Sequence, residues 1–248
     1  MTRTLEPRAD ERRTGRGDLV RSGLRGLGQT LITLGVVMLL FVVYSLYVTN
    51  LFTARDQRQL NDQLNDAWAR PPAPVAGARP PPPAALPPPG IGDAFARIYV
   101  PSIGVGMEDA LAIVQGVSVA DLKKGPGHIP DTQLPGTIGN TVISGHRTTY
   151  GAPFSALDQV RVGDPIILET ATQFFVYRMT SSEIVRPTAY EVTLPVPGQP
   201  DVAPTVAQVT LTTCNPKYSA RQRLIVHGEL AETVDKAGGV RPAELQGV

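Results

Sequence analysis

Three residues in this chain are of the types that acyl transfer through a thioester requires, and each borders a strand-like run. Cys214, the only cysteine, follows 208–213, where Val209, Leu211 and Thr213 alternate with Thr210 and Thr212. That period of two, rich in β-branched residues, marks a half-buried strand. Pro216 cannot continue a ladder, so the thiol stands at a strand end, held by a rigid sheet and free to face a cleft. Arg223 comes nine residues later and opens Leu224, Ile225 and Val226. Far upstream, His146 closes a third run, 141–144.

A thiol attacks as its thiolate, and a neighbouring imidazolium or guanidinium raises the thiolate fraction. An imidazole in reach can protonate an amine leaving group. Arginine stays protonated and cannot be the base. Its role would be to hydrogen-bond the substrate carbonyl or the oxyanion formed on attack. Together the three could cleave an amide through a thioester.

The same residues have plainer readings. A lone cysteine is most often a buried small hydrophobe, and at a cell surface it could pair between chains. His128, in a Gly/Pro loop, and His227, in the strand after Arg223, are alternatives to His146; Arg221 is the alternative arginine. Chain order narrows the chemistry. In papain-like and related cell-wall peptidases the cysteine precedes the histidine, and here it follows. The Ser-x-Gly-Cys motif of L,D-transpeptidases does not match Thr212-Thr213-Cys214.

The chain has 248 residues, a formal net charge of +1, 24 prolines and 24 glycines. Such a length holds one medium domain with appendages, or two small ones. Near-neutral charge gives no reason to expect nucleic acid. One cysteine excludes an intrachain disulfide and any multi-cysteine metal site. No cofactor or metal is expected.

Residues 1–25 form a polar, Arg-rich tail without hydrophobic periodicity, composed like a disordered segment. From 26 to 54 there is no charge until Arg55, and about 20 apolar residues span a bilayer. Arginines crowd the N-terminal flank, so the positive-inside rule places the N-terminus in the cytoplasm and the rest outside. A cleaved signal peptide is the rival, but the apolar run is too long and Asn50-Leu51-Phe52 is a poor cleavage site. Residues 55–92 are expected to be a stem and linker. Leu60, Leu64 and Trp68 recur every four residues as a short amphipathic stripe, and 71–89 is a proline-rich polyproline II spacer. A proline-rich ligand for a recognition module is the competing reading of that stretch.

The folded domain is expected over 93–230. Strands are predicted at 96–100, 110–114, 141–144, 165–169, 174–179 extended by 183–185, 208–213 and 224–226. A helical turn is predicted at 119–123 and a short helix at 154–160, with Phe154 and Leu157 inward. Many short strands, little helix and frequent Gly/Pro suggest a closed or nearly closed β-barrel. Residues 231–248 read as a loose polar tail.

At this resolution of motif the chain resembles the sortases. TLTTC at 210–214 is similar to the family's Thr-Leu-x-Thr-Cys signature, RLIV at 223–226 to its arginine strand, and SGHRTTYGAPF at 144–154 to its histidine region. The finer likeness is to class E sortases of actinobacteria, through 210–228, RIYVPSIG at 97–104 and DLKKGPGH at 121–128. The resemblance implies a mainly β fold: an eight-stranded barrel with short helices after one N-terminal transmembrane helix. It implies a membrane-anchored cysteine transpeptidase with Cys214, His146 and Arg223 as its catalytic residues. Its substrates would be secreted proteins bearing a C-terminal LPxTG- or LAxTG-like signal. The signal is cut between Thr and Gly, and the acyl group passes to a peptidoglycan amine, with hydrolysis as a side reaction. Thr213, Ile129, His128 and Tyr150 are the residues implied for substrate binding. Class E members usually carry Tyr after the histidine of the Gly-Pro-Gly-His loop; here that residue is Ile129. A pilin-polymerising sortase and a non-catalytic envelope barrel that binds wall polymers are the alternatives.

Overall fold

The computed structural model describes residues 16–45, 49–69, 89–108 and 110–246. Eight strands close into a barrel: β1 (Ala94–Tyr99), β2 (Leu111–Gln115), β3 (Gly127–His128), β4 (Gly139–Ser144), β5 (Pro165–Glu169), β6 (Gln173–Val185), β7 (Ala207–Asn215) and β8 (Gln222–Asp235). Their order around the barrel is β1-β2-β3-β4-β7-β8-β6-β5. The fold is the mainly β, eight-stranded barrel that the sequence resemblance implied.

Alternation fills the interior. Ile98, Ile113, Ile143, Ile166, Leu168, Val209, Leu211 and Val226 point inward and are buried in one apolar cluster. Phe154 and Leu157 join it as expected, although the helix there is a single 3-10 turn, Leu157–Gln159. The two-residue strand β3 falls in a stretch that reads as loop. It pairs parallel with β2 and antiparallel with β4.

One pairing positions the site. β4 and β7 are neighbours and parallel, in register from Gly139↔Ala207 to Ser144↔Thr212. Parallel neighbours need a long crossover; here the connection supplies β5 and β6 to the far side of the barrel. Parallel strands end at the same rim, and antiparallel β8 begins there, with Cys214↔Arg223 in register.

The N-terminal helix α1 (Arg16–Val43) includes Val20–Val43, long and apolar enough to cross a membrane, with its side chains exposed. The second helix, α2 (Thr49–Ala69), departs from expectation. The apolar span was expected to run to residue 54 and the following stripe to be a stem. Instead, Thr53, Gln57, Leu60 and Leu64 are buried. Leu60 and Leu64 pack with Ala112 and Val114, and Trp68 lies against them. Polar side chains explain the seat. The Gln57 amide donates to the Ala112 and Lys124 carbonyls and accepts from the Ala112 N–H, while Thr53 donates to the Lys123 carbonyl. Trp68 stacks beneath Arg97 at 4.6 Å and Lys236 at 4.1 Å.

All of the 71–89 polyproline II spacer but Pro89 lies outside the described residues, and both of its flanks, α2 and β1, belong to one folded unit. At the other end, β8 continues past residue 230 to Asp235 because β6 is long enough to pair with it throughout. Beyond it, Leu245 is buried against Ile167, Phe174 and Val176, and Glu244 pairs with Arg178. The C-terminal stretch is therefore not a loose tail.

With α2 packed against the β2 wall of the barrel, Leu64→Ala is expected to lower the unfolding free energy by about 2–3 kcal/mol. Leu51→Ala, at a position 64% exposed, leaves it unchanged. Denaturant titration of the detergent-solubilised chain measures both, and equal midpoints for the two variants would return α2 to the status of a free stem.

Candidate active site

Cys214 lies two residues beyond Thr212, whose register partner on β4 is Ser144; His146 lies two residues beyond Ser144. The Gly145 N–H donates to the Thr212 carbonyl (3.0 Å), so the alignment persists past the formal end of β4. On the other flank Arg223 faces Cys214 across β8. Adjacent strands are about 4.8 Å apart, so Cys214 stands between His146 and Arg223 at one rim. Cys214, His146 and Arg223 are all half-buried.

Residues that pair across strands share a face. Cys214, Thr212 and Thr210 therefore lie on the barrel's outer face with Arg223, Ile225 and His227, and with Ser144 and Val142. Ser144 and Thr212 are half-buried, whereas Val142 and Ile225 are covered. The accessible part of this face is the rim row and the row beneath it. At the far end Thr210 donates to Asn140 Oδ1 (2.7 Å), and the Asn140 amide donates to the Val192 and Leu194 carbonyls, pinning that connection across the strands.

The local chain fixes His146. A Cβ on Gly145 would come within 2.6 Å of the Phe154 ring, so only glycine permits Phe154 to pack there. The Phe154 N–H donates to the His146 carbonyl (3.1 Å). The Tyr150 ring lies 5.0 Å from the His146 ring, tilted by 38°. Burial pulls the His146 pKa below the ordinary histidine value, which favours the neutral imidazole at neutral pH. Arg223 donates to the Ala220 and Gln222 carbonyls, which turns its guanidinium toward the β7–β8 loop. Arg221 is exposed on that loop.

The other expected residues separate. Tyr150 joins the site. Ile129, half-buried, donates its N–H to the Val142 carbonyl; it flanks the outer face about four residue rises, roughly 13 Å, from the rim. His128 faces inward, being paired with core Ile143, and is only 1% exposed. Its Nδ1 lies 2.7 Å from Gln115 Oε1, and its Nε2 contacts Thr132 Oγ1 (2.9 Å) and the Gln133 carbonyl (3.0 Å). It shapes the loop and leaves no free nitrogen for a ligand. Thr213 is likewise buried and donates to the Gly145 carbonyl (2.8 Å), tying β7 to the residue before His146. His227 sits beside Thr210, four residues from the rim row, with Nδ1 2.9 Å from that hydroxyl.

Arg147 is a residue that sequence reasoning missed. It is buried, and its Nη1 donates to the Cys214 carbonyl (3.2 Å) and Asn215 Oδ1 (2.8 Å). Its Nη2 pairs with Asp158 Oδ1 at 3.0 Å. Its position directly after His146 is the only sequence signal. Nothing in the spacing says that the side chain turns back to β7.

A closed barrel of this strand order, with a lone cysteine at the rim between a histidine strand and an arginine strand, defines the sortase class of fold. The family model described as Sortase domain matches residues 98–231, more than half of the chain, and the chain belongs to the sortase family. It is 34% identical over 223 residues to Sortase SrtE1 of Streptomyces coelicolor, covering 87% of this chain but 59% of that protein. With Sortase SrtE2 of the same organism it shares 33% identity over 246 residues, 95% of this chain and 92% of that one. The crystal structure of Sortase E1 from Streptomyces coelicolor with tripeptide in the active site superimposes with a TM-score of 0.57 at 33% identity, covering 62% of this chain and 97% of that chain. Sortases are cysteine transpeptidases.

All three histidines have pKa values lowered by burial, which the Gln133 carbonyl opposes at His128 and Glu183 opposes at His227. Below the ordinary value of about 6.5 the unfolded chain then binds more protons than the folded one. The stability from these groups is complete above that pH and is lost as the pH falls. The melting temperature is therefore expected to drop between about pH 7.5 and about pH 5.5. His128→Asn should lower stability at both pH values yet flatten the slope; an unchanged slope in that variant would show that other groups carry it.

Proposed function

We propose that the chain is a membrane-anchored transpeptidase of the class E kind that joins secreted proteins to the cell wall. The alignment of Cys214 between His146 and Arg223 at one rim carries this reading. In it, the Cys214 thiolate attacks the carbonyl between Thr and Gly of an LPxTG- or LAxTG-like signal. The C–S bond forms first, giving a tetrahedral oxyanion; its collapse breaks the C–N bond as His146 delivers a proton to the departing glycine amine. A neutral imidazole can first accept the thiol proton and then pass it on. Arg223 hydrogen-bonds the oxyanion. A peptidoglycan amine then displaces the thiolate and forms the new amide. The apolar helix anchors the enzyme, its arginine-rich flank on the cytoplasmic side and the barrel outside.

Incubation of the detergent-solubilised chain with signal peptides and an amine acceptor tests this, with mass spectrometry for an acyl group on Cys214. Cys214→Ala abolishes turnover and His146→Ala nearly does. Arg223→Ala costs about 10²–10³ in rate, the usual loss for an oxyanion donor, while Arg221→Ala is mild. Native rates in Arg223→Ala with a large loss in Arg221→Ala would exchange their roles. No acyl-enzyme with any signal peptide would remove the function.

Ile129 bears on the second signal position. Its side chain offers hydrocarbon where class E relatives usually offer a tyrosine hydroxyl. An apolar wall discriminates by only about 1–3 kcal/mol, whereas a buried hydrogen bond discriminates far more. The enzyme is expected to prefer Pro, or to accept Pro and Ala about equally, and Ile129→Tyr to shift kcat/KM toward Ala. A native preference for Ala of about tenfold or more would show that another residue sets the choice.

A further inference from the structure

We propose that Arg147 is a positioning residue for Cys214, holding the β7 strand end against the histidine segment and fixing a positive charge beside the thiol. The inference rests on Cys214 being the nucleophile. Arg147 follows His146 directly, yet its guanidinium reaches the neighbouring strand, donating to the Cys214 carbonyl at 3.2 Å and to Asn215 Oδ1 at 2.8 Å. One residue thus links the backbone of both reacting groups. Together with the Thr213 hydroxyl on the Gly145 carbonyl, it closes a reciprocal pair of ties between the two strand ends.

Stability alone does not account for this residue. Its side chain is 4% exposed, and its Nε has no hydrogen-bond partner among the described residues. A buried guanidinium with an unmet donor is a poor way to fill that space, and an apolar side chain of similar volume often serves stability as well or better. What an apolar group cannot supply is a permanent charge and directed donors to the Cys214 carbonyl and the Asn215 side chain. Asp158 completes the arrangement. It pairs with Nη2 at 3.0 Å but is 48% exposed, so water screens the carboxylate more than it screens the buried cation. The titratable and charged groups of the segments that meet at Cys214 are His146 and Arg147 from the histidine segment, Asp158 from the 3-10 turn and Arg223 from β8, with Lys217 and Arg221 on the β7–β8 loop. Arg147 is the buried cation bonded to the cysteine's own backbone.

Cys214 is the sole cysteine, so iodoacetamide alkylation of the full chain in detergent reports on this thiol alone. Arg147→Gln is expected to slow alkylation about tenfold at neutral pH, the scale of one nearby charge. The gap should close at high pH, where thiols are ionised whatever charge lies beside them. Asp158→Asn removes the partner carboxylate from a half-exposed site and is expected to speed alkylation at neutral pH. Arg147→Lys keeps the charge but loses the fork, so it recovers much of the alkylation rate and little of the turnover. In peptide assays Arg147→Gln lowers kcat with KM nearly unchanged. A purely structural role predicts the same sign for Arg147→Gln and Asp158→Asn, or a rate difference that persists at high pH. Either result overturns the proposal. Asp158→Asn stays informative if Arg147→Gln does not fold. Retained transpeptidation in Cys214→Ala would instead sink the functional reading and leave the alkylation comparison standing.

Discussion

The site depends on the parallel register of β4 and β7. Residues 140 and 208 pair, and the ladder advances in step to Ser144 and Thr212. Because the strands run the same way, the residues that follow them emerge at the same rim, and a histidine and a cysteine 68 positions apart become neighbours. A slip of one residue would send the cysteine to the opposite face of the sheet from the histidine. Several contacts oppose such a slip. Val209 and Leu211 are fully buried in the core, Thr210 is bonded to Asn140, and Thr213 is bonded to Gly145. Thr210 and Thr213 are thus register pins, one for each face.

The second constraint comes from α2. This helix lies between the apolar span and the barrel in sequence, and its polar residues cap carbonyls of β2 and of the short helix at Val119–Lys124, which we label α3. It also reaches the histidine segment. Asn50 Oδ1 accepts from the Gly151 N–H at 2.9 Å, and Lys123, beside the Thr53 contact, lies 5.8 Å from the Tyr150 ring that packs on His146. The loop from 149 to 152 takes positive φ at Tyr150, Gly151 and Ala152. Two of these are not glycine, so the conformation is strained and needs support from outside the loop. α2 supplies part of that support.

Much of this was legible in the sequence. Short apolar runs bounded by Gly, Pro and polar residues locate seven of the strands, one of them by its period of two, and the residues that end them point to the chemistry, because strand ends are where polar side chains can leave a core. The eighth strand, Gly127–His128, was not legible. Two residues flanked by Pro126 and Pro130 carry no period, and they become a strand only because β2 and β4 pass on either side. The seat of α2 was also hidden. Leu60, Leu64 and Trp68 give a stripe of four-residue spacing, but a stripe does not say what it covers, and the proline run after it suggests a boundary where the folded unit has none. His128 and Thr213 looked like binding residues by motif alone. Alternation along the strands turns both inward, where protein groups already occupy them.

The outer face is also graded in charge. Toward its far end lie Glu183, Glu191 and Glu229 around the buried edge of His227, lining one cavity with Gln208. Toward the rim lie Arg147, Arg223 and, on the connecting loop, Lys217 and Arg221. In the proposed mechanism the thiolate and the tetrahedral oxyanion are both anions, and both would form at the cationic end. A buried cation there acts through lower dielectric than an exposed one, so Arg147 counts for more than the two loop residues despite its carboxylate partner. Arg223 has the complementary property. It is half-buried and, among the described residues, is held by the Ala220 and Gln222 carbonyls and by no ion pair, so its donors could turn to a substrate without breaking one. On the proposed mechanism the two arginines would divide the work by their surroundings: the enclosed one would set a constant field, and the open one would remain available to the reacting group.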